Sequence, residues 1–164
     1  MLAAIVQLSD LHFQDGRNAI RSKLSQLAAA ICSTDATCSD FTIVLSGDIA
    51  ANGIQSEYGT AKQFLDDLAL AIAGHNPSAQ VRYLAVPGNH DCFLPDAEVN
   101  LRDALIKAIQ PTLQTPEPDP SILAELLSRQ KSYFDFCQTL FPFPQTPTAQ
   151  ICASQTVDVG SKRL

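Results

Sequence analysis

The chain has 164 residues, of which 46% are hydrophobic, and a formal net charge of −6. This length and composition predict one globular domain with a hydrophobic core and exclude an intrinsically disordered chain. The negative net charge argues against nonspecific binding to nucleic acid, since phosphate contacts need a basic surface. Without a basic leader or an apolar run of membrane-spanning length, the protein is expected to be cytoplasmic, with no membrane partner.

Three apolar runs predict buried β-strands, at residues 4–8, 41–45 and 81–86. Helical periodicity follows the first two of them, between residues 20 and 31 and between residues 58 and 72. Because the strands are apolar on both faces, helices are expected on both sides of a parallel sheet. The fold class is therefore α/β, with a βαβαβ start.

The pattern changes after residue 91. Residues 97–110 predict a helix, and the proline-rich residues 111–120 predict a loop. Ser121 is predicted to cap the next helix. The aromatic stretch at residues 133–141 is expected to pack in the core or in a lid.

The end of the sequence predicts a strand at residues 157–159 that enters a hairpin through Gly160. One domain is expected over residues 1–164, with a motif-bearing core at 1–91. A helical insertion or cap would occupy residues 92–150, and the next strand would start within 151–164.

The cysteines are five in number and lack the spacing of a metal site. They are expected to be thiols in a reducing compartment. They are Cys32, Cys38, Cys92, Cys137 and Cys152.

Polar motifs follow the ends of all three predicted strands. In chain order, they are Asp10 with His12, Gly47-Asp48, and Gly88-Asn89-His90-Asp91. In open α/β sheets ligands collect at the carboxyl ends of the strands, so the three motifs are expected at one edge. Amide, imidazole and carboxylate groups in this arrangement are typical of a site for divalent cations and proton transfer.

Four of these residues are candidate ligands for a pair of metal ions. Asp10 and His12 would point the same way from an extended segment and would share one ion. Asp48 is placed to bridge both ions, because Gly47 lets the backbone turn tightly before it. Asn89 would offer its amide oxygen to the second ion.

Two further residues are candidates for catalysis. His90 would be free to face the substrate, and Asp91 would hold its ring in place. His75 is a contrasting case, since it falls at a predicted helix end, where a cation or a solvated turn explains it.

The three motifs, in this order, resemble the N-terminal signature of the calcineurin-like metallophosphoesterase family. The resemblance covers roughly residues 3–91. The segments around Asp10, Asp48 and Asn89 look most like the cyclic-nucleotide phosphodiesterase branch. The resemblance implies a four-layer α/β/β/α sandwich, of which this chain would be the N-terminal portion with a helical insertion.

The resemblance also implies an activity. The protein would be a metal-dependent phosphoesterase that hydrolyses phosphomonoester or phosphodiester bonds through a metal-bridging hydroxide. Two divalent ions of manganese, iron or zinc would be its cofactors. Asp10 and His12 would bind the first ion, Asp48 both, and Asn89 the second.

The resemblance further implies that His90 would contact the phosphate and help to protonate the leaving oxygen, with Asp91 behind it. The substrate would be a phosphoester small molecule or a nucleotide.

The sequence departs from the family pattern in two respects. An outer acidic position after Gly47-Asp48 is Ala51 here, and no histidine follows His90, although the family completes its ions with histidines from its C-terminal half. The chain is therefore expected to be a piece of a longer protein, whose missing C-terminal half would complete the site. Weak metal affinity and low turnover are expected of the chain alone.

Two alternatives stay open. The missing histidines and the aromatic stretch favour a non-catalytic interaction module on the same fold. A nuclease is the other alternative, although the acidic balance counts against it.

Overall fold

The computed structural model describes residues 2–16, 18–35, 37–94, 119–141, 158–159 and 162–163, with positions 100, 101, 103, 104 and 107. Its strands are β1 (Leu2–Leu8), β2 (Cys38–Ser46), β3 (Gln80–Val86), β4 (Asp158–Val159) and β5 (Lys162–Arg163). Its α-helices are α1 (Leu24–Ser33), α2 (Gln55–His75), α3 (Pro120–Ser128) and α4 (Lys131–Leu140), and a 3-10 helix (Ala19–Lys23) precedes α1.

The predicted βαβαβ start is confirmed. The first three strands form one parallel sheet in the order β1-β2-β3, with a helix in each connection. This arrangement is consistent with the N-terminal part of a metallophosphoesterase fold. The helix predicted at residues 97–110 lies largely outside the described residues, as does the loop predicted at 111–120, of which only Asp119 and Pro120 are described. Pro120 belongs to α3 and not to a loop.

Helices α1 and α2 cover the same face of this sheet, so the expectation of helices on both faces is wrong for residues 2–94. Both crossovers run in the same direction along the sheet, and because such connections are right-handed, α1 and α2 fall on the same side. On that side, Phe41, Ile43 and Leu45 are buried. The opposite side carries Ile5, which is 71% exposed, and Val86, which is 53% exposed.

The long helix α2 packs on the sheet along the predicted stripe. Its buried residues recur at three- and four-residue spacing, as in an amphipathic helix. They include Tyr58, Ala61, Phe64, Leu65, Leu68 and Ile72.

The cap of α3 differs from the sequence prediction. Asp119, not Ser121, is the N-cap residue, and its Oδ1 accepts the backbone N–H of Ser121 at 2.7 Å. Pro120 occupies the first turn, where its missing N–H leaves no helical hydrogen bond unmade. The same contacts with Ser121 lower the pKa of Asp119.

The aromatic stretch packs in the core, as predicted. Tyr133, Phe134 and Phe136 of α4 are buried, and the ring centroid of Phe136 lies 5.2 Å from that of Tyr58 in α2. At the end of the chain, β4 and β5 pair antiparallel, as the predicted hairpin requires.

None of the helices in the described part of the chain has the length and apolar character needed to cross a membrane. Four of the five cysteines, Cys32, Cys38, Cys92 and Cys137, are described, and none of the four forms a disulfide bond with another.

Candidate metal centre

The backbone is left-handed at three candidate ligands. Asp10 has φ 56°, His12 φ 45° and Asp48 φ 52°, and no other described residue except glycine has a positive φ. Such a conformation costs an L-residue about 1 kcal/mol or more and tends to cluster at functional sites. The extended segment expected at Asp10 and His12 is therefore wrong.

Backbone hydrogen bonds hold the loops after β1 and β2 side by side. The N–H of Asp10 donates to the carbonyl of Gly47 at 3.2 Å, and the N–H of His12 donates to the carbonyl of Asp48 at 2.9 Å. Parallel pairing thus continues past the strand ends, as far as the bridge between Phe13 and Ala50. It brings His12 and Asp48 together despite their separation in the sequence.

The loop after β3 joins them through a glycine. A Cβ on Gly88 would lie 2.5 Å from the backbone nitrogen of Asp48 and would also collide with its carboxylate. Real Cβ atoms do not approach so closely, so only glycine lets this loop lie against Asp48. The N–H of His90 then donates to Oδ1 of Asp48 at 3.0 Å.

The three loops gather two imidazoles and one carboxylate. His12, Asp48 and His90 each offer a ligand atom, and these atoms lie within 4.8 Å of one another. The rings of His12 and His90 meet edge to face, with centroids 4.7 Å apart. Nitrogen and oxygen donors at this spacing fit a divalent transition-metal ion, but they do not select one metal.

The other two predicted ligands lie at the margin of this group. Oδ1 of Asp10 is 4.0 Å from Nε2 of His12, and its side chain is 68% exposed. Ser9 donates to Oδ2 of Asp10 at 2.5 Å. Asn89 is exposed and is next to His90 in the chain. The ligand roles of Asp10 and Asn89 stay predictions.

The ring of His90 is oriented by a backbone carbonyl. Its Nδ1 lies 2.7 Å from the carbonyl oxygen of Ala51. Because a carbonyl oxygen only accepts, Nδ1 carries the proton, and Nε2 of the neutral ring keeps its lone pair. Ala51 thus contacts His90 through its main chain, at the position where the family pattern often has an acid.

Asp91 does not have the expected position behind His90. Its side chain is fully buried and accepts four hydrogen bonds from other groups. Oδ1 accepts from the N–H of Ala50 at 2.9 Å, and Oδ2 accepts from the N–H of Gly88 at 2.9 Å and of Ile49 at 3.2 Å. The expectation that Asp91 holds the ring of His90 is therefore wrong. The carboxylate oxygens of Asp91 instead accept hydrogen bonds from the backbone of the loops after β2 and β3.

Tyr58 of α2 donates the fourth of these hydrogen bonds, to Oδ1 of Asp91 at 2.8 Å. Burial and the charge of Asp91 raise the pKa of this phenol, so the hydroxyl stays protonated as a donor. The helical periodicity between residues 58 and 72 predicts a core position for Tyr58 and not this role. Its position in an apolar stripe gave no signal of a polar partner.

The sequence also did not predict a role for Glu57, although this residue supports the loop next to the candidate metal centre. Its buried carboxylate accepts the backbone N–H and the side-chain amide of Asn52, each at 2.8 Å, and the N–H of Ile54 at 3.4 Å. These contacts order the loop that carries the Ala51 carbonyl. An acid in the first turn of α2, reaching back to the preceding N–H groups, was the available signal.

A comparison with protein families matches residues 3–145 to the calcineurin-like phosphoesterase family. The chain belongs to this family, as its motifs indicated. Proteins of the family usually bind divalent metals and act on phosphoester bonds. The match gives no support to the narrower resemblance to the cyclic-nucleotide phosphodiesterase branch. No curated protein matches the chain.

Proposed function

We propose that the chain forms the metal-binding part of a phosphoesterase that hydrolyses phosphomonoester or phosphodiester bonds. The observation that carries the proposal is the convergence of His12, Asp48 and His90 from three separate loops. Left-handed backbone at His12 and Asp48 supports it, because such conformations persist only where the surrounding contacts impose them.

The proposed cofactors are two divalent ions of manganese, iron or zinc. Asp10 and His12 would hold one ion, Asn89 would hold the other, and Asp48 would contact both. When bound, such ions supply Lewis-acid activation of water and offset the negative charge of the phosphoryl oxygens.

The chain's own residues would orient the reacting groups. The Ala51 carbonyl fixes the ring of His90 through Nδ1, which leaves Nε2 available to the phosphate or the leaving oxygen. In the protonated ring, Nε2 would donate a proton to that oxygen. Asp91 would act at a distance from the substrate, by holding the loop of Gly88 against that of Ile49.

Asp48→Asn tests the proposal, because it keeps the shape of the side chain and removes its charge. We expect it to abolish hydrolysis of an aryl phosphoester in manganese and to weaken manganese binding. The matched control is Asp66→Asn, which changes an exposed carboxylate that pairs with Lys62 on α2. Hydrolysis at the unsubstituted rate by Asp48→Asn would contradict the proposal.

The structure weakens one argument for the interaction module. Tyr133, Phe134 and Phe136 are buried in the core, so this part of the aromatic stretch presents no docking surface. The proposed substrate is a phosphoester small molecule or a nucleotide. A cytoplasmic location is also proposed, and the lack of a disulfide bond among the four described cysteines supports it.

A further inference from the structure

A cleft of about 500 Å³ opens beside the candidate ligands. Asp10 and His12 form one part of its lining. The other parts come from the remainder of the loop after β1 and from the 3-10 helix, which contributes Ala19, Ile20 and Lys23. A group bound at Asp10 and His12 therefore has an adjoining space into which it can extend.

Lys23 is the one cationic residue among those that line this cleft in the described chain. It is exposed and forms no ion pair with any described residue, whereas Arg21, two positions earlier, lies 3.5 Å from Asp67. In a protein with a net charge of −6, an unpaired lysine in a cleft is a local attraction for anions.

The remaining lining is ordered before any ligand binds. The side chain of Asn18 accepts the N–H of Gln14 at 2.8 Å and donates to the carbonyl of Gln14 at 2.9 Å. This pair of hydrogen bonds fixes the loop that leads into the 3-10 helix. Ile20 packs against the hydrophobic core and gives the cleft an apolar surface. A cleft held in this way loses little conformational entropy when it binds a ligand.

We propose that this cleft holds the leaving group of the substrate and that Lys23 recognises a second anionic group on it. The substrate class would be phosphoesters whose leaving group carries a carboxylate or another phosphate next to an apolar portion. The inference rests on the proposed function, since the scissile phosphate must lie at Asp10 and His12 for its leaving group to enter the cleft. It concerns binding and adds no chemical step.

Non-hydrolysable phosphonates test the inference by calorimetric titration of the manganese-loaded 164-residue chain. Three probes differ at one ring position: phenylphosphonate, 3-carboxyphenylphosphonate and 1,3-phenylenediphosphonate. Lys23→Gln is expected to raise Kd about three- to tenfold for the two probes with a second anion, and to leave Kd for phenylphosphonate unchanged. The two charged probes also show whether carboxylate or phosphate is preferred.

Two further variants serve as controls. Lys62→Gln removes a lysine that pairs with Asp66 on α2, and it should change none of the three Kd values. Lys23→Arg keeps the charge and should keep the preference for the second anion. High salt should reduce the difference between Lys23→Gln and the unsubstituted chain, because the contact is exposed.

Equal Kd changes for all three probes, no change, or no binding of any probe would overturn the inference. Hydrolysis of phenyl phosphate is measured on the same samples. If hydrolysis occurs but the Lys23-dependent preference does not, the inference fails and the proposed function stands. If the preference is found without hydrolysis and without manganese binding, the proposed function fails and the cleft remains an anion site.

Discussion

The hydroxyl of Tyr58 donates a 2.8 Å hydrogen bond to Oδ1 of Asp91, and both side chains are buried. Asp91 directly follows His90, and its other hydrogen bonds come from the N–H groups of Ile49, Ala50 and Gly88. One carboxylate thus connects helix α2 with two of the loops that form the candidate metal centre. The position of His90 relative to Asp48 therefore depends on a carboxylate whose hydrogen bonds go to residues other than these two.

Tyr58→Phe should destabilise the fold, because it removes one donor from a buried carboxylate and leaves the shape of the ring unchanged. The expected loss in the free energy of unfolding is about 1–3 kcal/mol. Urea denaturation of the two proteins measures it.

Tyr133→Phe is the matched control. The hydroxyl of Tyr133 is buried and has no nitrogen or oxygen partner among the described groups, only the weakly accepting thiol of Cys137. Its removal should therefore be neutral or stabilising. Equal losses for the two substitutions would mean that the contact between Tyr58 and Asp91 contributes no stability of its own.

Alkaline pH should unfold the protein cooperatively, because burial raises the pKa of all three tyrosines, Tyr58, Tyr83 and Tyr133. In the unfolded chain these phenols lose their protons near pH 10, whereas the folded chain retains them. Their contribution to stability is complete below about pH 10 and falls as the pH rises, by about 1.4 kcal/mol per pH unit for each tyrosine. Tyrosinate absorbance should therefore appear together with the loss of helical circular dichroism. Absorbance that rises in a chain still folded would contradict this prediction.

Local sequence patterns predicted the first three strands and the two helices between them. The family was predictable from the three motifs. Asp10, Asp48 and His90 follow the ends of these strands, which sets their positions. The rule that parallel crossovers are right-handed would have placed α1 and α2 on one face of the sheet. That rule needs the strand order, and β1-β2-β3 was not evident from the residues alone.

The direction of individual side chains was not predictable. In Gly88-Asn89-His90-Asp91, the sequence is compatible with a hydrogen bond between the carboxylate and the histidine. It is equally compatible with a carboxylate that bonds to other residues. The structure separates the two, since Asp91 is fully buried while His90 is exposed. The carboxylate of Asp91 accepts the N–H of Gly88 in its own loop and the N–H groups of Ile49 and Ala50 in the loop after β2. The last two contacts form only when the two loops meet in space.

Gly88→Ala should disrupt the centre, because its methyl group would collide with the backbone nitrogen and the carboxylate of Asp48. We expect a loss of manganese binding and of phosphoesterase activity, with a fall in the free energy of unfolding of about 1–3 kcal/mol. Gly59→Ala is the control, since a Cβ at this position of α2 meets no atom within 4 Å. Alanine there should stabilise the helix by up to about 1 kcal/mol. Unchanged manganese binding in Gly88→Ala would show that the close approach to Asp48 is unimportant.

His90→Ala should distinguish between two roles for this residue, contact with the phosphate and direct binding of a metal ion. If His90 faces the phosphate, as proposed, turnover of an aryl phosphoester should fall about 100-fold or more, while manganese affinity changes little. Asp48→Asn removes a charged ligand and should weaken manganese binding much more. His75→Ala, which changes an exposed histidine at the end of α2, should affect neither quantity. In the neutral ring Nε2 of His90 keeps its lone pair, so the ring is also able to bind a metal ion directly. An equal loss of manganese affinity in His90→Ala and Asp48→Asn would assign it that role, and the proton donor would then be a different residue.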